Sequence, residues 1–181
     1  MSNLKDILIN KTICKSVWFM RQAGRYLPEF RKIRLQNKDF IKICLNSKLS
    51  SEITLQPIKR FDLDSAIIFS DILMVPYALG QNVSFNKDEG PELSDYQFAS
   101  FMNISEKKFS EKLSPVYKAI EITRKKLAKE KSLISFIGAP WTLLVYILKI
   151  KKNKDEINLK ILKDNKSKIE EILHKLISYL C

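Results

Sequence analysis

The sequence predicts an α/β fold with parallel strands. Short apolar runs alternate with amphipathic segments, and polar or turn-forming residues gather directly after each apolar run. With 181 residues, 45% hydrophobic and 10% aromatic, the chain can bury a core as one domain or as part of a larger one.

The first apolar run, Val17 to Met20, reads as a strand that stops at Arg21. It opens the stretch VWFMRQAGRYLPEF, in which Arg21 and Arg25 flank Gln22-Ala23-Gly24. NKDFIKICLNSKLSSEITLQPIKRF then reads as helical, with Ser50 or Ser51 as N-cap and Ile53, Leu55 and Ile58 apolar. A second strand, SAIIFSD, covers Ser65 to Asp71. ILMVPYALGQNVSFNKDEGPELSDY is too interrupted by Gly and Pro for one element and reads as a long βα connection of the kind that carries function.

Ser114-Pro115 has the form of an N-cap followed by proline at the first helical position. From there Val116, Ala119, Ile120, Thr123 and Leu127 share one face of a 3.6-residue period. The third strand, SLISFIG, covers Ser132 to Gly138 and turns at Ala139-Pro140 into a helix from Trp141. A last amphipathic helix is expected after a Ser167 cap, with Ile169, Ile172, Leu173, Leu176, Ile177 and Leu180 apolar. Three strand ends therefore carry Arg21 and Arg25, Asp71, and the GAPWTLLVY turn. Sites of open α/β sheets and of (β/α)8 barrels lie at such carboxyl ends.

A net charge of +12 and a pI near 9.6 raise the question of nucleic acid. The excess is mostly lysine mixed with Glu and Asp along helices, as in EITRKKLAKEKS, and reads as a solvated surface. The interleaved aromatics of a single-strand platform are missing. No window holds about 18 uninterrupted apolar residues, so no membrane span is expected. The first residues lack the layout of a secretory signal. Cys14, Cys44 and Cys181 are odd in number with no CxxC spacing, and read as reduced thiols of a cytoplasmic protein.

Of the 32 basic residues only 6 are arginine, so two arginines four residues apart stand out. Their planar forks bind carboxylates or phosphates bidentately, which lysine cannot reproduce, and the small residues between them let backbone N–H groups approach a ligand. The competing reading pairs them with acids such as Glu29. Asp71, leaving an apolar strand, is expected to be partly desolvated and to need a cationic or N–H-donating partner. Tyr146, by physics alone, reads as a packing residue with a satisfied hydroxyl. His174, the only histidine, reads as structural or surface, so a catalytic triad or histidine-based metal site would have to be built around it. Neither glycine-rich phosphate fingerprint is present.

Three segments together resemble the uroporphyrinogen decarboxylase family: WFMRQAGRYLPEFRKIR, DSAIIFSDILMVPYALGQNVSF and LISFIGAPWTLLVYILK. They occur in that family's order and at similar separations, over essentially the whole chain. The resemblance implies that residues 1–181 are a single, incomplete domain, the N-terminal portion (about three βα units) of a TIM (β/α)8 barrel. The implied enzyme is a cofactor-free, metal-free carboxy-lyase, usually a homodimer. It converts the four acetates of uroporphyrinogen III to methyl groups, giving coproporphyrinogen III in haem biosynthesis. Carried over by position, the resemblance gives Arg21, Gln22, Ala23, Gly24 and Arg25 to the substrate's carboxylates. Asp71 goes to the pyrrole N–H groups and Tyr146 to the neighbourhood of the reacting acetate, with Asp71, Arg21 and Arg25 as the catalytic set. A barrel needs roughly 250 residues, so the chain is expected to be inactive or poorly folded alone, and to need a second chain or the remainder of its own. Two alternatives stay open: a corrinoid-dependent methyltransferase of a similar barrel, which generally lacks the RQAGR loop, and a basic nucleic-acid-binding module.

Overall fold

The computed structural model describes residues 4–11, 15–86, 90–153 and 156–180. In chain order, α1 (Leu4–Asn10), α2 (Pro28–Gln36), α3 (Phe40–Cys44) and α4 (Ser47–Arg60) precede β1 (Ser65–Ile67). Next come α5 (Met74–Ala78), β2 (Val83–Asn86), β3 (Gly90–Leu93), α6 (Phe98–Met102) and the long α7 (Glu106–Lys126). The chain continues through β4 (Ser132–Ile134), α8 (Pro140–Ile147), β5 (Lys151–Asn153), β6 (Glu156–Ile157), α9 (Leu159–Asp164) and α10 (Lys166–Leu180). It divides into two compact units, Met1–Ser70 with Ser114–Phe136, and Asp71–Leu113 with Ile137–Cys181.

The first unit is built on β1 and β4, which pair in parallel with Ala66 opposite Leu133. Parallel strands joined through intervening helices make this an α/β arrangement. Leu55 of α4, Ala66 of β1 and Leu127 after α7 form one buried cluster. Leu27, Phe30 and Ile33 with Ile43 of α3 and Ile53 of α4 form another, with Ala23 and Phe69 against it. Phe69 makes edge contacts with Phe30 and Phe40 at 5.7 and 5.6 Å, which adds ring–ring attraction to the burial.

The first expected strand, Val17 to Met20, does not join this sheet. These residues are exposed, Met20 at 75%, and among them Val17 is bonded to Asp64, the residue before β1. Its carbonyl accepts from the Asp64 N–H at 2.9 Å, and its own N–H donates to Asp64 Oδ2 at 2.6 Å. Side chains take the rest of that edge. The Gln22 amide donates to the Ser65 carbonyl at 2.8 Å and accepts from the Ile67 N–H at 3.0 Å. Thr54 Oγ1 accepts from the Phe69 N–H at 2.8 Å, and Ser50 Oγ donates to the Phe69 carbonyl at 2.6 Å. With these positions occupied, Trp18 to Met20 have no ladder to join.

The expected caps also move. Asn46 caps α4, its Oδ1 accepting from the N–H groups of Lys48 and Leu49 at 3.2 and 3.1 Å. Ser50 and Ser51 lie buried inside the helix, and α3, capped by Asp39, is a separate element. Likewise α7 begins well before Ser114. Ser105 Oγ accepts from the Lys108 N–H at 3.3 Å, and Pro115 sits in the helix interior. Interior proline costs about 3 kcal/mol. Buried Phe109 and Leu113 continue the Ala119–Thr123–Leu127 face N-terminally, and that burial outweighs the cost. The two strand predictions contract to Ser65–Ile67 and Ser132–Ile134, and α10 starts at Lys166, placing Ser167 within its first turn.

In the second unit, the long connection resolves into α5 and an antiparallel hairpin of β2 and β3, with α6 following it. Gly80 ends α5 with a left-handed φ of 98°, a conformation that favours glycine. Leu143, Leu144 and Ile147 of α8 are buried together with Ile169, Ile172 and Leu176 of α10. Among the described residues no helix is long and apolar enough to cross a membrane. Cys44 is buried, whereas Cys14 and Cys181 lie outside the described residues.

Gln22→Ala leaves a buried carbonyl and a buried N–H of β1 without partners, each worth about 1–3 kcal/mol. Urea unfolding of this variant is expected to show a loss of about 2–4 kcal/mol, against a near-neutral Gln36→Ala on the exposed side of α2.

Candidate functional site

The arginine loop belongs to the first unit. Gln22 is 3% exposed and anchors the loop to β1 through its amide. Ala23 packs on the Leu27–Phe30 cluster. Gly24 accepts from the Leu27 N–H at 3.0 Å, closing the turn. The φ of Gly24 is not left-handed, and a Cβ built there would lie 3.6 and 3.8 Å from the Tyr26 ring, in ordinary contact. Local backbone geometry therefore does not demand glycine at this position.

Four of the six arginines serve the chain itself. Arg60 grips Glu29 with two hydrogen bonds of 3.1 and 2.9 Å. Arg124 closes the end of α7 on the carbonyls of Leu127, Ala128 and Lys131. Arg34 holds the Asn37 and Lys38 carbonyls, and Arg31 holds those of Arg25 and Tyr26. Arg21 and Arg25 are exposed. Among the described residues neither side chain has an ion-pair or hydrogen-bond partner. The acid that sequence reasoning offered them, Glu29, is taken by Arg60.

Four carbonyls of the segment 22–26 are engaged within the chain. Tyr26 Oη donates to the Gln22 carbonyl, the Leu27 N–H to that of Gly24, and Arg31 to those of Arg25 and Tyr26. Among the described residues, the N–H groups of Gln22 to Arg25 have no acceptor. The loop therefore offers two guanidinium groups and a run of backbone donors, an arrangement suited to carboxylates or phosphates.

The second unit begins at Asp71. The Leu73 N–H donates to Asp71 Oδ1 at 2.8 Å, so the expected N–H partner is the backbone of the following turn. Burial raises the Asp71 pKa from its ordinary value, and that one hydrogen bond offsets only part of the rise. The GAPW turn meets this segment at Gly138. A Cβ there would fall 2.7 Å from Leu143 Cδ2 and 3.2 Å from Ile72 Cβ, so here glycine is required by packing. The turn leads into α8, whose Tyr146 is 38% exposed. Its hydroxyl has no partner among the described residues, unlike the satisfied hydroxyl of a packing tyrosine. His174 is exposed on α10. Among the described residues no group of three or more His, Cys, Asp or Glu is placed to hold a metal ion.

Sequence reasoning missed Arg31 and Tyr26, which shape the loop. The available signal was the same one that marked Arg21 and Arg25, an arginine where the chain prefers lysine.

Over residues 11–181 the sequence matches the family described as Uroporphyrinogen decarboxylase (URO-D). It is 44% identical over 162 residues to a uroporphyrinogen decarboxylase of Rickettsia canadensis, covering 89% of this chain and 48% of the relative. A protein of the same name from Neorickettsia sennetsu is 50% identical over 141 residues, 78% of this chain and 42% of the relative. That of Campylobacter jejuni is 41% identical over 167 residues, 91% and 49%. The chain thus spans about half the length of the curated relatives it matches. Among solved structures, a methyltransferase from Methanosarcina mazei matches with a TM-score of 0.68, covering 96% of this chain and 52% of that one, at 13% identity. At that identity the likeness concerns the fold alone.

The sign of the Asp71 shift yields a stability prediction. A carboxyl whose pKa is raised on folding binds more protons folded than unfolded between its two pKa values, so its contribution falls as pH rises through that window. Above the folded pKa the desolvation cost is fully present, and below the unfolded value, about 3.9, it is gone. Asp71→Asn keeps an oxygen for the Leu73 N–H and removes the charge. Its Tm is expected to equal or exceed the parent's at neutral pH, with the difference vanishing in acid, as followed by thermal melts across pH.

Proposed function

The chain belongs to the uroporphyrinogen decarboxylase family, and from that premise we propose that it forms the carboxylate-binding half of a uroporphyrinogen decarboxylase. In this reading it is the first portion of a (β/α)8 barrel in a homodimeric, cytoplasmic enzyme of haem biosynthesis. The observation that carries the reading is the arginine loop: two guanidinium groups without partners among the described residues, on a turn with four carbonyls engaged within the chain.

Uroporphyrinogen III bears eight carboxylates. Arg21 and Arg25, with the backbone donors of Gln22, Ala23 and Gly24, bind them by charge-assisted hydrogen bonds, each worth about 1.5–3 kcal/mol. The side chain of Gln22 is engaged with β1, so its part is played by the main chain. The basic surface draws the polyanion in.

Asp71 takes the pyrrole N–H groups. Losing carbon dioxide from an acetate on a pyrrole requires an electron sink, which protonation of the ring carbon supplies as an iminium-like cation. The C–C bond electrons then flow into that cation as carbon dioxide leaves, giving an exocyclic methylene; a second proton completes the methyl group and the first leaves the ring carbon, restoring the pyrrole. Asp71, already partly desolvated, stabilises the cation as a carboxylate without reorganising. An arginine holds the carboxylate that departs, and Tyr146 lies close to the reacting acetate. The likeness to a methyltransferase is one of fold and does not redirect this chemistry.

Because the chain spans about half of its relatives' length, turnover is assigned to it together with the rest of a family-length domain. The isolated 181-residue chain is expected to give little or no coproporphyrinogen III from uroporphyrinogen III, read by chromatography of the oxidised porphyrins. Ordinary turnover by the chain alone would refute this division of labour. In a family-length protein carrying this half, Asp71→Asn is expected to lose most of kcat, and an unimpaired rate removes Asp71 from the chemistry. Gly24→Ala tests the loop separately. Its fold is expected to be unchanged within about 0.5 kcal/mol, so weaker binding of uroporphyrin by fluorescence reports the close approach of a carboxylate to the backbone.

A further inference from the structure

We propose that Arg31 is a positioning residue for the anion-binding loop, acting through the main chain of Arg25; this rests on the reading of that loop as a carboxylate site. Arg31 lies on α2, one turn beyond the loop, and its Nη1 is 2.9 Å from the Arg25 carbonyl and 3.4 Å from that of Tyr26. Both carbonyls are thereby engaged by a group of the chain itself.

The reason for such a contact is electrostatic. A loop that binds anions is weakened by any carbonyl oxygen exposed beside its donors, because that oxygen repels the ligand. Peptide units are rigid planes, so fixing the Arg25 carbonyl on Arg31 also fixes the plane of the Arg25–Tyr26 peptide and the direction in which the Arg25 side chain leaves. At the opposite end of the loop, Tyr26 Oη does the same for the Gln22 carbonyl, and the Tyr26 ring is held by stacking on Phe61 at 6.4 Å. One nitrogen of Arg31, Nη1, reaches two successive carbonyls, the nearer being that of Arg25.

Arg31 is exposed and belongs to no buried cluster, so its replacement leaves the core intact. Its neighbour Lys32, also exposed, carries the same charge without the contact and serves as the control.

The test uses the 181-residue chain, with uroporphyrin I as a stable octacarboxylate probe read by fluorescence, and a double-mutant cycle between Arg31→Ala and Arg25→Ala. Arg31→Ala is expected to weaken binding about tenfold, Lys32→Ala less than twofold, and Arg31→Lys by an intermediate amount. In an Arg25→Ala background the further loss on removing Arg31 is expected to shrink to the Lys32 level. An equal loss in both backgrounds overturns the proposal, since Arg31 would then act as an independent charge. A ligand-free measurement accompanies it: amide hydrogen exchange and 15N relaxation at residues 22–26. Loss of order there in Arg31→Ala but not in Lys32→Ala supports the proposal, and an unchanged loop overturns it. If the parent chain shows the ordered loop yet does not bind uroporphyrin, the carboxylate reading fails on its own, apart from the positioning role.

Discussion

The Gln22 side-chain amide, bonded to the Ser65 carbonyl and the Ile67 N–H, sets the position of everything in the first unit that matters for binding. It occupies the edge of β1 as a neighbouring strand would, supplying one donor and one acceptor to the same residues a ladder would use. Together with the Val17–Asp64 bonds, that side chain registers the chain on either side of Gln22 against β1. Arg21 and Arg25 inherit their placement from that bond pair, and so does the turn that brings Leu27 and Phe30 into the core. Thr54 and Ser50 complete the same edge from α4. A strand whose outer edge is closed by hydroxyls and an amide is satisfied without being extended, which leaves the loop free to depart from the sheet at Arg21.

The distribution of charge follows a comparable division. Lysines supply the surface, and exposed pairs such as Lys118 and Lys125 with Glu121 hold that carboxyl at a pKa of about 2 while adding little to stability, because solvent screens them. Four of the arginines each reach two or more oxygens. Arg60 closes on Glu29, Arg124 on three carbonyls beyond α7, and Arg34 on two beyond α2. Against that usage the unpaired forks of Arg21 and Arg25 stand out more sharply than they do in sequence, where Glu29 remained an available partner.

Much of this architecture was legible before the fold was seen, and the failures have physical causes. The apolar runs at Ala66–Ile68 and Leu133–Ile134, the turn at Ala139-Pro140 and the face of α10 were readable because burial imposes period and length on them. Val17–Met20 has the same composition as a buried strand. Its neighbours along β1 are side chains from positions 22, 50 and 54, and no local pattern in the sequence announces that. The caps at Ser50, Ser51 and Ser114 were misplaced for a related reason: a serine–proline pair marks a helix start only if no apolar face continues through it, and Phe109 and Leu113 continue this one. The wealth of donors in the loop was readable in part, from two arginines around small residues. Its engaged carbonyls depend on Tyr26 and Arg31, whose reach requires the turn to exist first.

Two features of the chain are unfavourable in the absence of a ligand, and they are of opposite kinds. Arg21 and Arg25 are like charges four residues apart with no acid between them. Asp71 is a carboxylate drawn out of water with one backbone N–H in return. Folding alone gives no reason to keep either arrangement, since a lysine surface tolerates substitution and an asparagine would satisfy the same Leu73 N–H. Each is relieved by a different part of the proposed substrate, the carboxylates in the first case and the pyrrole N–H groups in the second. In the proposed reaction the second relief would grow: as the ring became cationic, the charge that is costly to bury at Asp71 would gain a counter-charge that exists only near the transition state. An interaction stronger there than with the bound substrate is what accelerates a reaction, and a carboxylate held without a cation of its own is able to provide it.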